Sequence, residues 1–173
     1  EWLYQILSPE ISVVRSPKSY NSQIGVPMSV WQLNDSHDIA IIEAGISRPD
    51  EMHNLKKIIK PTIGIFTNIG QAHGKNFDNI DDKIEEKLKL FSDVQTLIYC
   101  LDYKGIDDKV KKLNVNTFTW SRNDESADLK ICSIKKGEDS TAIEAIVKSQ
   151  RTTMKIVIPF VDDASIENAI HCW

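Results

Sequence analysis

Up to about Leu101 the chain alternates short apolar runs with stretches whose apolar positions recur at helical spacing. ISVVR (11–15), DIAIIEAG (38–45), TIGIFTNIG (62–70) and TLIYCLD (96–102) read as strands, while VPMSVWQL (26–33), EMHNLKKIIK (51–60) and DDKIEEKLKLF (81–91) are amphipathic. Strand and helix in turn predict an α/β fold with a mostly parallel sheet flanked by helices. The cores IAII and IGIF are nearly all apolar, which predicts central strands covered on both faces.

From about Asn114 the texture changes. NTFTW, ADLKICSIKK, STAIEAIVKS and TTMKIVIPF are rich in Thr, Val and Ile, with GED (137–139) and SQR (149–151) as turns, and they predict an antiparallel β meander. DDASIENAIHCW opens with capping residues and then spaces Ile166, Ala169 and Ile170 as a helix does. The expected subregions are an α/β body over 1–113, a meander over 114–160 and a returning helix over 161–173.

Composition narrows the class. A chain of 173 residues can bury a core without disulfides, and its formal charge of -4, with scattered Lys and Arg, offers no basic face for nucleic acid. Cys100, Cys132 and Cys172 are odd in number and widely spaced, so neither a disulfide framework nor a CxxC metal pattern is available, and a cytoplasmic location is expected. No apolar stretch approaches a membrane span. The chain begins at Glu1 with EWLYQIL, which reads as the later turns of a helix, so it is expected to be a piece of a longer protein.

In a parallel sheet the binding crevice lies beyond the carboxyl ends of the strands. Glu43 ends DIAIIE, where a carboxylate can meet a hard cation such as magnesium or simply pair with a loop. TNIGQAH places Asn68 and His73 past another strand, with Gly70 permitting close backbone approach, and His73 can be a ligand or a loop-packing residue. SPKSYNSQIGVP (16–27) groups Asn21 and Ser22 before a helix start, as an anion-holding loop or as an ordinary connection. By spacing alone Lys87 belongs to a solvated charged helix face. His37, His53 and His171 read as surface or packing residues, and the four tryptophans as core or interface anchors.

In this order and at these intervals, SYNSQIGVP, IIEAGISRPDEM, TNIGQAH, EEKLKLF and SIENAIHCW resemble the central, P-loop NTPase-like domain of the bacterial Mur ligases. The likeness is greatest to ligases that add D-alanyl-D-alanine to UDP-N-acetylmuramoyl-tripeptide, in the form that an alanine racemase domain follows. It implies an ATP-binding domain over 1–173 that uses two magnesium ions and works with N- and C-terminal ligase domains of the same chain.

Residue by residue, the resemblance makes Glu43 a magnesium ligand between ATP and the substrate carboxylate, and His73 a ligand of the second metal site. It makes Lys87 a carbamoylated lysine, because carbon dioxide converts an ammonium without a lone pair into a carboxylate-like oxygen ligand. Asn168 matches an asparagine that contacts adenine, Asn68 lines the nucleotide site, and Asn21 and Ser22 face the UDP-muramoyl substrate. The glycine-rich loop ending in Gly-Lys-Thr is absent from these residues, so the piece is expected to be inactive alone. Other readings are a different Mur-type or folylpolyglutamate-type ligase, or a non-catalytic nucleotide-binding module on the same fold.

Overall fold

A computed structural model describes residues 1–69, 77 and 79–173. The chain forms two compact units, Glu1–Pro61 with Gly70–Asp93, and Thr62–Ile69 with Val94–Trp173.

The first unit contains α1 (Trp2–Leu7), β1 (Val13–Arg15), α2 (Gly25–Val30), β2 (Ile39–Ile41), α3 (Glu51–Ile59) and α4 (Ile80–Lys89). Strands β1 and β2 pair in parallel from Val13↔Ile39 to Arg15↔Ile41. The apolar faces of the helices close a core of Val26, Met52, Leu55 and Leu90, with Val30, Ile42 and Phe91 packed against it. Helix α4 starts where the Asn79 side chain accepts the Asp82 N–H at 2.8 Å. Acids in its first turn and lysines in its last suit the helix dipole. Ile84 and Leu88 are buried on one face of α4, as their spacing predicts.

That helix also buries an acid. Glu86 is 3% exposed, accepts the Met52 N–H at the start of α3 at 3.1 Å and pairs with Lys89 at 2.6 Å. A carboxylate thus satisfies a free amide at a helix N-terminus and ties α4 to α3.

The second unit contains β3 (Ile63–Phe66), β4 (Thr96–Cys100), α5 (Lys104–Val110), β5 (Asn116–Ser121), β6 (Leu129–Lys136), β7 (Thr141–Val147), β8 (Thr152–Ile158) and α6 (Asp163–Cys172). Its sheet runs β3-β4-β5-β6-β7-β8, parallel as far as β6 and antiparallel from β6 to β8. Trp120, Leu129, Ile131, Ile143 and Ala145 form its core with Ile166 and Ile170 of α6. Helix α6 begins where the Asp162 side chain accepts the Ser165 N–H at 2.8 Å.

The α/β class with a mostly parallel sheet and a later meander is therefore what folds, with departures in the direction of β5 and in an added helix. Among the described residues β2 pairs with β1 in the first unit and β3 with β4 in the second. NTFTW forms β5, which is parallel to both neighbours, so the antiparallel part is β6 to β8. Only Trp120↔Leu129 and Ser121↔Lys130 pair between β5 and β6, so the strands are staggered and a short connection suffices where a full parallel crossover would need a longer one.

Helix α5, with Ile106 and Val110 buried one turn apart, was not anticipated from the sequence. Trp31 is 90% exposed and no part of the core, whereas Trp120 is fully buried.

Candidate active site

Strand β2 ends at Ile41 and delivers Glu43 to an exposed position in the first unit. The backbone there is held by Ser16, a buried residue just after β1, whose Oγ accepts the Glu43 N–H at 3.1 Å. Asn21 lies in the connection from β1 to α2, and its Nδ2 donates to Glu43 Oε1 at 2.7 Å. The Gly45 N–H donates to the Asn21 carbonyl at 2.8 Å.

The loop around Asn21 is tightly turned. Ser22 Oγ accepts the Gly25 N–H at 3.1 Å, and the Ser22 carbonyl accepts the Val26 N–H at 2.9 Å, which starts α2. A side chain on Gly25 would put its Cβ 2.8 Å from the Tyr20 backbone, so this turn requires glycine. Asn21, Ser22, Gly45 and Ser47 are among the residues lining a cleft of about 370 Å³. Glu51 lines it too. Burial alone would raise the Glu51 carboxyl, but the amides of Ser47 and Arg48 and the Ser47 hydroxyl bond it and hold it below the usual carboxylate range.

Lys87 is half-buried on α4 of the same unit. Burial, then the neighbouring Lys83 charge, lowers its pKa, and attraction to Glu43 offsets part of that. Asn21 is thus bonded to Glu43, and Lys87 feels the charge of that carboxylate. His73, with Gly70, lies outside the described residues.

Among the described residues no group of three or more His, Cys, Asp or Glu is gathered as a metal site. The donor chemistry nevertheless fits magnesium in kind. Glu43 is an exposed carboxylate whose Oε1 is fixed by a neutral amide, a hard oxygen donor of the kind that cation takes.

In the second unit Asn68 is exposed just beyond β3 and Asn168 is exposed on α6. The inner side of α6 holds polar groups that the sequence did not mark as a cluster. Tyr103 OH donates to Glu167 Oε2 at 2.7 Å, and Trp120 Nε1 donates to His171 Nδ1 at 3.2 Å. Burial lowers His171 to about 4, so its imidazole is neutral near pH 7 and its 3.9 Å approach to Glu167 is no ion pair. Among the described residues Glu167 Oε1 and His171 Nε2 have no hydrogen-bond partner. The i, i+4 spacing of Glu167 and His171 was the available signal.

The Mur ligase middle domain, as a sequence family, matches residues 1–173. The chain belongs to the Mur ligase family. This middle domain is 37% identical over 90 residues to the UDP-N-acetylmuramoyl-tripeptide–D-alanyl-D-alanine ligase of Borreliella burgdorferi, covering 52% of this chain and 19% of that protein. It is 26% identical to the ligase of the same name from Buchnera aphidicola subsp. Acyrthosiphon pisum, over 98% of this chain and 38% of that one. In fold it superposes on MurF ligase from Thermotoga maritima in complex with ADP with a TM-score of 0.84, at 21% identity, over 98% of this chain and 40% of the other. The chain therefore spans between about a fifth and two fifths of these relatives.

Proposed function

We propose that the parent of this Mur ligase middle domain is an ATP-dependent ligase that joins D-alanyl-D-alanine to UDP-N-acetylmuramoyl-tripeptide in peptidoglycan precursor synthesis. The observation that carries the reading is Glu43, fixed by Asn21 and sharing its electrostatic field with Lys87, beside the cleft lined by Asn21 and Ser22. The names of the relatives supply the amine and the nucleotide substrate. A decayed, non-catalytic module would have no reason to keep an exposed carboxylate so restrained.

The reaction runs in two steps. The terminal carboxylate of the tripeptide attacks the γ-phosphorus of ATP and ADP leaves. The amine of D-alanyl-D-alanine then attacks the acyl carbon, phosphate departs and the amine loses a proton. Glu43, the carbamate of Lys87 and His73 would hold two magnesium ions, which when bound supply neutralisation of phosphate charge. Carbamate formation needs the neutral amine of Lys87 to attack carbon dioxide, and its burial favours that neutral form. Asn68 and Asn168 are assigned to the nucleotide, and Asn21 and Ser22 to the side of the cleft facing the UDP-muramoyl substrate.

The same proposal places residues 1–173 as the ATP-binding domain, completed by N- and C-terminal ligase domains of the parent chain. It places the enzyme in the cytoplasm, where ATP and the nucleotide-linked precursor meet, without nucleic acid or membrane as partner. No helix among the described residues is long and apolar enough to cross a membrane. An alanine racemase domain after the ligase belongs to the proposal too, and racemisation of L-alanine by the purified parent would test it. The ligase reading is tested by coupling ADP release to each substrate. Release that needs both the tripeptide nucleotide and the dipeptide supports it, and release indifferent to the dipeptide refutes it.

A further inference from the structure

Asn21 meets the rest of the site in a way that a substrate contact alone does not explain. Its amide is occupied by the protein itself: Nδ2 donates to Glu43 Oε1 at 2.7 Å. Its backbone is fixed on both sides, the N–H donating to the Ser19 carbonyl and the carbonyl accepting the Gly45 N–H, each at 2.8 Å. Gly45 also forms a seat for the side chain, since a Cβ there would lie 3.0 Å from Asn21 Cγ and 3.2 Å from both Nδ2 and Oδ1. Together with the bond from the Glu43 N–H to Ser16 Oγ, the connection after β1 grips both the backbone and the carboxylate of Glu43.

From this geometry we infer that Asn21 is a positioning residue that orients the Glu43 carboxylate for its cation. The chemistry of an amide suits that task. A carboxylate can face only its amino side, which fixes the rotamer while leaving the full negative charge and the other oxygen available. A lysine or arginine here would hold the carboxylate equally well but neutralise it. An aspartate would repel it. A freely rotating Glu43 would have to be ordered each time a cation binds, and Asn21 removes that cost beforehand. The inference rests on the reading of Glu43 as a metal ligand.

The test uses the full-length parent enzyme with Mn²⁺ as the probe, its binding followed by electron paramagnetic resonance, alongside the KM for the tripeptide nucleotide. Asn21→Ala is expected to weaken Mn²⁺ binding by the substrate-free enzyme by about tenfold, whatever its effect on that KM. Gly45→Ala, which crowds the amide while leaving Asn21 in place, is expected to weaken it in the same direction. In a Glu43→Gln background Asn21→Ala should cause no further loss, because its effect runs through that carboxylate. The inference is overturned if Asn21→Ala raises the KM and leaves Mn²⁺ affinity intact, or if the loss of affinity persists in the Glu43→Gln background. If Glu43→Gln alone binds Mn²⁺ as the wild type does, the underlying reading of Glu43 fails, and that result is distinct from both of the others. Thermal melts of each variant identify any that fail to fold, in which case Asn21→Ser, shorter but still polar, is judged by the same two readouts.

Discussion

At the scale of the residue, Lys87 carries the sharpest consequence. Spacing makes it one lysine among several on a charged helix, yet it is half-buried, lowered in pKa and within the field of Glu43. Lys87→Ala in the full-length parent should reduce magnesium-dependent ADP release on the order of 100-fold, measured at saturating substrates. Added short-chain carboxylates should restore part of it. His171 yields a prediction of a different kind. Burial lowers it to about 4 from an ordinary 6.5, so the unfolded chain takes up a proton below 6.5 that the folded chain refuses. Its contribution to stability is whole above pH 6.5 and is lost as the pH falls toward 4, by at most about 1.4 kcal/mol per pH unit. Urea unfolding at pH 7 and pH 5 should show a smaller acid loss for His171→Gln, which keeps an acceptor for Trp120, than for the wild type; equal losses would contradict this. Glu43 was legible in the sequence because a lone acid at the end of an apolar run is conspicuous. Its bond to Asn21 was not, since 22 residues separate the two and only the folded β1–α2 connection brings the amide back.

Among the elements, α3 and α4 depend on one buried acid. Glu86 accepts the Met52 N–H and pairs with Lys89 while only 3% exposed. Glu86→Ala leaves that helix amide without its partner and should destabilise the chain by about 1–3 kcal/mol, read from the shift in urea midpoint. Strand β7 is the centre of the other core: Ile143 is fully buried among Trp120, Ile131 and Ile166. Ile143→Ala should cost about 2–5 kcal/mol, whereas the exposed Val157→Ala on β8 should cost far less. Alternation and helical spacing located nearly every element here, because period 2 and period 3.6 survive without tertiary context. They did not reveal the direction of β5. A strand's side chains alternate identically in parallel and antiparallel ladders, and hydrogen-bond partners leave no trace in local composition.

At the scale of the whole molecule, the family match across residues 1–173 and the shorter span of this chain relative to its curated relatives frame what it can do. On the proposed reading, in which a glycine-rich phosphate loop and flanking ligase domains complete the site, residues 1–173 alone should release no ADP in the presence of both substrates; measurable substrate-dependent release would contradict that. The ordered set of five motifs made the family legible from sequence, and the hydrogen bonds that hold Glu43 become visible only where the connection after β1 meets the end of β2. The most direct test of the account is ADP release by the full-length parent carrying Glu43→Gln, measured with ATP, magnesium, UDP-N-acetylmuramoyl-tripeptide and D-alanyl-D-alanine. The account predicts that the wild type releases ADP only when both acceptor and amine are present and that Glu43→Gln all but abolishes it. Release independent of the dipeptide, or undiminished by Glu43→Gln, would contradict it.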